Sequence, residues 1–477
     1  MARRTERVGT GAVLGWTLLS VMVPGAAHLR AGWRKTGLAL LGAYAAMLLG
    51  ILALYLVYGV ALVGTITASA TWVNVVIAVT ILLGLAWFAL VVHSFMVMRP
   101  GALPQNGQIL TGTLAGLMAV VVLAPFAYAT QFLVSTQSLV GSVFRETGEE
   151  VEAGEKPRTE ADPWAGRPRV NIMLIGGDAD EHRPSVRTDS MNVASIDVAT
   201  GNTVLISLPR NLEYVRFRPD TPMAQKFPDG FRLPPDPGGG RSDLLNSVWE
   251  YADAHPELFG GRKNMGSKVL ADTIGYTLGL KIDWYALVNM WGFARLIDAI
   301  GGVTITVEQD IVFGKYNEGL VKAGTRKLGG ADAMWYSRSR TNSDDYTRMR
   351  RQKCVIGALL DQADPATVLT RFTAIAGATK ELIKTDIPRP MLKPLVPLAL
   401  KVKNAKVTSV QFVPPLIKTY APDWEKIRTI TAKALSDSVT KRPLAASATP
   451  DPTKSPKPSA TRSTSPVKGL TEGCGTL

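Results

Sequence analysis

Residues 170–211 read VNIMLIGGDADEHRPSVRTDSMNVASIDVATGNTVLISLPRN. The run 170–175 is short and apolar, and Gly176-Gly177 is expected to stop it. The stretch 191–198 alternates until a turn at Ala199-Thr200-Gly201-Asn202, and 203–208 returns, so the spacing predicts a strand followed by a β-hairpin. Downstream, 244–254 and 267–278 have helical spacing, 285–290 is strand-like, 293–299 is helical, and 303–307 is a β-branched strand after Gly301-Gly302. The stretch 345–361 reads as a helix with Val355, Ile356, Leu359 and Leu360 on one side, and 407–413 as a last strand. Interspersed helices and strands over 170–440 make this an α/β domain.

The remainder of the 477-residue chain is of another kind. Charged residues make up only 19% of it, below the roughly 25% of soluble domains. No charge occurs between Lys35 and Arg99, nor between Arg99 and Arg145. Crossing the hydrocarbon core takes about 20 apolar residues, and 38–63, 73–98 and 109–134 each meet that length. A fourth stretch, 12–29, is interrupted by Pro24 and Gly25. Residues 1–140 therefore form a membrane region of three to four apolar segments. Arg30, Arg34, Lys35 and Arg99 flank those segments, while the loop 64–71 is uncharged. Bases stay in the cytoplasm, which sends everything after about residue 140 outside a cell membrane crossed several times. The first segment either spans or lies in the interface.

Residues 141–169 are acidic and Pro/Gly-bearing, as a spacer would be. Residues 441–477 are dense in Pro, Ser, Thr and Lys, a composition expected to stay solvated. The net charge of +14 is distributed: +6 on 1–140, −2 on the spacer, +6 on 170–440 and +4 on the tail. No single basic face emerges, and nucleic acid is not an expected partner. Two cysteines, Cys354 and Cys474, exclude a disulfide scaffold and a multi-cysteine zinc module.

Phosphate-loop, HExxH, GxSxG and kinase motifs are all missing, and the four histidines are scattered. What remains is a set of arginines and aspartates at the ends of apolar strands. Asp178 follows the first strand, Arg187 and Asp189 open the second, and Arg210 follows the third. Arg338 and Arg340 in WYSRSR share one face only if that segment is extended. Arg348 and Gln352 are four apart on the next helix, with Arg351 inside the same turn. Bases at a helix N-terminus oppose its dipole, so a bound anion would explain them. Arginine forks match phosphate oxygens, and aspartates supply the oxygen ligands that Mg²⁺ prefers. A pyrophosphate with a divalent cation fits this set.

The ordered segments NIMLIGGD (171–178), RTDSMNVASID (187–197), SLPRN (207–211), DWYALVNMWGFARLIDAIGGVTITV (283–307), WYSRSR (335–340) and DYTRMRRQ (345–352) resemble the LytR-CpsA-Psr (LCP) family. The resemblance covers about 190 residues, from 171 to roughly 360, and the multi-span region ahead of it is similar to some actinobacterial members. It implies an α/β/α domain around a mixed central sheet, with an apolar pocket for a polyprenyl chain and an arginine-rich mouth for its pyrophosphate. It implies a phosphotransferase that moves a glycopolymer from a polyprenyl-pyrophosphate carrier to peptidoglycan. By motif, Asp178 and Asp189 would hold Mg²⁺ or Mn²⁺, and one of them would help to deprotonate the acceptor hydroxyl. Arg187, Arg210, Arg338, Arg340 and Arg348 would bind the pyrophosphate, with Gln352 in support and Arg351 a weaker match. The chain departs at Asn211, where many members carry Asp after the Pro-Arg pair.

Candidate walls for the lipid slot are Trp284, Leu287, Met290, Trp291, Phe293, Leu296 and Ile300. An oxidising exterior would allow a Cys354–Cys474 disulfide, tying the tail to the helix of Arg348. Two competing readings are a polyprenyl-pyrophosphatase and a non-catalytic regulator that binds lipid or wall polymer.

Overall fold

The computed structural model describes residues 9–67, 69–144, 158–159, 161–178, 186–238, 240–314, 316–341, 343–363, 383–439 and 465–475. They fall into two compact units, 1–140 and 141–477. In the first, α1 (Thr10–Met22) and α2 (Ala26–Arg30) are separated where the sequence places Pro24-Gly25. Gly25 has φ +97°, and a Cβ there would lie 2.4 Å from Gly37 O, so only glycine permits this break against α3. At 13 residues α1 is about 20 Å long, short of a span. Among the described residues three helices are long and apolar enough to cross a membrane: α3 (Arg34–Thr67), α4 (Ala70–Val97) and α5 (Gln105–Val143). His28 and His93, far apart in sequence, meet here with Nε2 and Nδ1 2.8 Å apart.

The second unit is built on a seven-stranded mixed sheet in the order β11-β10-β3-β2-β1-β4-β9. β1 (Arg169–Asp178), β2 (Arg187–Asp197) and β3 (Thr203–Leu208) form the expected antiparallel succession. β4 (Trp284–Asn289) joins β1 in parallel, and β10 (Val407–Gln411) joins β3 in parallel. All six residues of β3 are buried, because it is an interior strand covered on both faces. The edges are β9 (Ile383–Thr385) and β11 (Lys468–Gly469). Two small ribbons stand apart, β5 (Val303–Val307) with β8 (Gly324–Leu328) and β6 (Ile311–Phe313) with β7 (Gly319–Val321).

Helices pack in two main cores, one on this sheet and one on the small ribbons. The first gathers Met173, Val193, Ile206 and Val410 of the sheet with Trp249, Leu270, Ile274 and Ile427. Its helices are α7 (Val248–Ala254), α8 (Gly266–Leu278) and α13 (Trp424–Val439), with short α6 (Pro222–Lys226) at its margin. The second core joins Ile297, Tyr336 and Val355 to β5–β8. It belongs to α9 (Met290–Ala299), α10 (Gly330–Arg338) and α11 (Asp345–Gln362), while α12 (Leu392–Lys403) leads into β10.

Several sequence expectations need correction. Gly176-Gly177 does not stop β1, which continues to Asp178 through a register shift at those glycines. A Cβ on Gly177 would meet Val186 at 2.9 Å, so the pair allows close approach of β2 rather than ending the strand. The stretch 244–254 opens with a 3-10 turn, Leu245–Ser247, before α7. WYSRSR is not extended throughout: α10 runs to Arg338 and the chain straightens at Ser339.

The spacer is docked over its second half. Arg158 and Arg167 both pair with buried Asp283, and the Arg158 guanidinium lies 4.2 Å from the Trp284 ring centre. Its residues 145–157, and 440–464 of the tail, lie outside the described residues. The rest of the tail is not free: β11 closes the sheet edge beside β10, Leu470 is buried, and Cys474 is disulfide-bonded to Cys354 of α11. Consequently β10 is not the last strand.

Candidate functional site

A cavity of about 620 Å³ opens beside the ends of β1, β2 and β4. Its floor is Leu174, Gly176 and Gly177 of β1 with Ala286 and Val288 of β4, and its far wall is Phe293, Phe313, Met334, Trp335, Ile356 and Leu359. Phe313 and Trp335 stack with ring centres 4.8 Å apart, which gives the wall a flat aromatic section. The lining also carries Asp189, Arg210, Arg338, Arg340, Arg348 and Gln352, and along α11 it passes from Arg348 and Gln352 to Ile356 and Leu359. One continuous space therefore has an apolar end and a cationic end.

The cationic end is organised by a carboxylate. Asp345, at the first position of α11, has Oδ1 3.2 Å from Arg210 Nε, 3.1 Å from Arg348 Nη2 and 3.9 Å from Arg340 Nη1. Arg210 also pairs with Asp189, and Arg348 Nη2 donates to the Asp189 carbonyl at 3.0 Å. Three guanidiniums thus meet two carboxylates among the described residues, leaving positive charge in excess. Arg348 is almost wholly buried, with side-chain exposure of 4%. Burial pushes its guanidinium below the ordinary value; Asp345 opposes that and Arg210 adds to it. Its Nε, buried, has no hydrogen-bond partner among the described residues. A buried cation short of counter-charge attracts an anion with oxygen acceptors. α11 tolerates bases at its start because Asp344 caps it, accepting from Thr347 N at 2.6 Å, and Asp345 sits in its first turn.

Residues 142–421 match the LytR_cpsA_psr family model. This chain belongs to the LytR_cpsA_psr family. It is 25% identical over 279 residues to "Polyisoprenyl-teichoic acid--peptidoglycan teichoic acid transferase TagU" of Halalkalibacterium halodurans, covering 57% of this chain and 78% of that protein. It is 30% identical over 230 residues to the Oceanobacillus iheyensis protein of the same name, covering 48% of this chain and 62% of the other. Among solved structures it is similar to "TagT bound to LIIa-WTA", at 21% identity and TM-score 0.40, covering 61% of this chain and 98% of that one.

Of the residues that resemblance to the LytR_cpsA_psr family picks out, Asp189, Arg210, Arg338, Arg340, Arg348 and Gln352 come together at the cavity. Arg187 does not line it: its Nε lies 3.8 Å from Glu250, and its side chain is half exposed. Asp178 ends β1 in register with Arg187, so the backbone brings it to the same end of the β1–β2 ladder as Asp189; its side chain lies outside the described residues. Arg351 is not in the lining either, being buried against Glu308. Of the seven candidate slot residues only Met290 and Phe293 line the cavity. Leu287 belongs to the first core, Trp284 packs with Val170 and Ile387, and Trp291 is exposed.

Two residues escaped the sequence reading. Asp345 carried a signal in Asp344-Asp345, an acidic start to a basic helix. Glu308 carried none.

Proposed function

We propose that the chain is a membrane-anchored phosphotransferase that moves a glycopolymer from a polyprenyl-pyrophosphate carrier to peptidoglycan outside the cell membrane. The observation that carries this reading is the single cavity, apolar at one end and rich in arginine at the other. A prenyl chain would occupy the apolar end and its pyrophosphate would meet Arg210, Arg338, Arg340 and Arg348. The names of the TagU relatives support a wall polymer as cargo. The three apolar helices, the bases flanking them and the Cys354–Cys474 bond support several spans with the domain in an oxidising exterior.

In the transfer, an acceptor hydroxyl forms a new bond to the phosphorus that carries the glycopolymer. The bond from that phosphorus to the bridging oxygen breaks, and polyprenyl phosphate leaves. The hydroxyl proton passes to a carboxylate, for which Asp189 is the described candidate. The arginines hold the equatorial and bridging oxygens and neutralise charge as it shifts to the leaving phosphate.

A divalent cation fits the chemistry of Asp189, whose carboxylate is on the cavity; by family resemblance Asp178, at the end of the same ladder, would be its second ligand. Among the described residues no cluster of three or more His, Cys, Asp or Glu forms a site from protein alone, so phosphate and water would complete the set, as Mg²⁺ or Mn²⁺ prefers. Such an ion would lower the charge on the pyrophosphate.

The test is mass spectrometry of lipid copurifying with the full chain, followed by incubation of loaded protein with peptidoglycan. A polyprenyl pyrophosphate bearing sugars, transferred to the wall polymer, is the expected result. Hydrolysis alone would favour a pyrophosphatase, and wall attachment undiminished in cells carrying Asp189→Ala would favour the non-catalytic reading.

A further inference from the structure

Ser339 separates the two mouth arginines Arg338 and Arg340, and its backbone and side chain are held from three directions. Its amide donates to Trp335 O at 2.8 Å, which closes α10. Its hydroxyl donates to Val312 O at 2.6 Å, and its carbonyl accepts from Arg351 Nη1 at 3.3 Å. Two residues earlier, the Ser337 carbonyl accepts from Gln352 Nε2 at 3.3 Å. α11 therefore grips the carbonyls on either side of Arg338.

Arg351 is itself fixed from behind. Its side chain is 1% exposed and that of Glu308 3%. Arg351 Nε donates to Glu308 Oε1 at 2.7 Å, and the Tyr336 hydroxyl donates to Glu308 Oε2 at 3.0 Å. Glu308, just after β5, thereby joins α11 to α10. Burial alone would raise the Glu308 carboxyl, but the hydrogen bond from Arg351, a backbone hydrogen bond and the Arg351 charge together hold it below the ordinary range. Tyr336 is pushed above its ordinary range by burial and then by Glu308, so it remains a neutral donor.

A buried ion pair is a poor device for stability alone, since apolar residues of like volume often serve as well. This one also leaves Arg351 Nη2 buried without a hydrogen-bond partner among the described residues. What apolar residues could not do is hold a carboxylate and a carbonyl in one plane, which a guanidinium fork does. We infer that Glu308 and Arg351 are a positioning pair for the anion site. They fix the Ser339 carbonyl and so set the directions in which Arg338 and Arg340 leave the chain toward one ligand. Arg351 is thus not a phosphate ligand despite its place among them. The inference rests on the cavity's cationic end taking a pyrophosphate.

The experiment uses the full chain in detergent with geranyl pyrophosphate as probe, geraniol as the uncharged control, and thermal unfolding in parallel. Arg351→Lys keeps the charge opposite Glu308 but loses the fork. It is expected to bind the pyrophosphate about 10-fold more weakly, with geraniol binding unchanged. The exchanged pair Glu308→Arg with Arg351→Glu restores an ion pair but moves the guanidinium away from Ser339. Its melting temperature should recover relative to either single change, while its pyrophosphate affinity should not. Wild-type affinity in Arg351→Lys, or affinity that recovers together with stability in the exchanged pair, overturns the inference. Arg348→Ala separates the two claims: if it binds the probe as the wild type does, or if the wild type does not bind at all, the reading of the cavity fails and the positioning role falls with it.

Discussion

Two clusters of arginine and carboxylate lie three residues apart on α11 and have opposite characters. Around Arg348, three guanidiniums converge on Asp345, the neighbouring Asp189 is partly exposed, and the whole faces a cavity. Around Arg351, both partners are sealed and a tyrosine occupies the second carboxylate oxygen. The first cluster has positive charge to spare and room for a ligand. The second has neither. Residue type alone cannot separate a ligand from a frame: RMRR contains both, and burial together with charge balance decides which arginine is which.

The largest break in that contrast should come from the sealed pair. Arg351→Met leaves Glu308 buried and unpaired, and should cost about 3–5 kcal/mol in thermal unfolding. Adding Glu308→Leu should return most of that loss. The pair also has a pH signature. The Glu308 carboxyl is depressed by its partners, so its stabilisation is complete above the unfolded-state glutamate value and is lost as pH falls through the lower folded value. Acid titration of unfolding should therefore be steeper for the wild type than for Glu308→Gln.

Arg348→Ala should act the other way. Removing a charge-stabilising donor from a transfer site costs about 10²–10³ in rate, roughly 2.7–4 kcal/mol, measured as glycopolymer transferred to peptidoglycan. Its melting temperature should change little, because a buried cation with excess positive neighbours is lost along with its contacts. If Arg348→Ala unfolds the domain and Arg351→Met merely slows transfer, the assignment of the two clusters is inverted.

The strap formed by the C-terminal segment affects both clusters at once. Cys474 is bonded to Cys354, Lys353 Nζ donates to Glu472 O at 2.7 Å, and Gly357 lies so close to Thr471 that a Cβ would come within 3.0 Å. Cys354 lies one turn beyond Arg351 on the shared helix. Removing the bond with Cys474→Ser and Cys354→Ser should cost about 2–4 kcal/mol, given the 120-residue separation. Stability and pyrophosphate affinity should fall together, unlike in Arg348→Ala.

Local pattern carried far into this fold. The alternation in 191–198 and the returning run 203–208 mark strands whose registers are those of a hairpin, and the β-branched run 303–307 is β5. Four of the five expected pyrophosphate arginines do line the cavity: Arg210 follows the end of β3, and Arg338, Arg340 and Arg348 lie where α10 gives way to α11. What local pattern could not carry was contact between distant segments. The tail looked solvated by composition, yet Leu470 and Cys474 anchor it to elements more than 60 residues away. Glu308 looked like a polar residue leaving a strand, and only the packing of α10 and α11 over it makes it the partner of Arg351. The candidate slot residues are spread from Trp284 to Ile300, whereas α9 turns Ile297 into the second core and supplies only its first turn to the cavity.

A third ion pair calibrates the other two. Lys433 and Asp437 on α13 are four residues apart with Nζ–Oδ2 3.0 Å, and both side chains are mostly exposed, at 72% and 54%. Water screens the pair, and holding two long side chains together offsets most of its attraction, so Lys433→Ala should change unfolding by less than about 0.5 kcal/mol. Raising salt should erase even that difference, whereas the cost of Arg351→Met should persist, since mobile ions do not reach a sealed pair. A loss at Lys433 as large as that at Arg351 would mean that short distance, rather than enclosure, is what gives the Glu308 pair its weight.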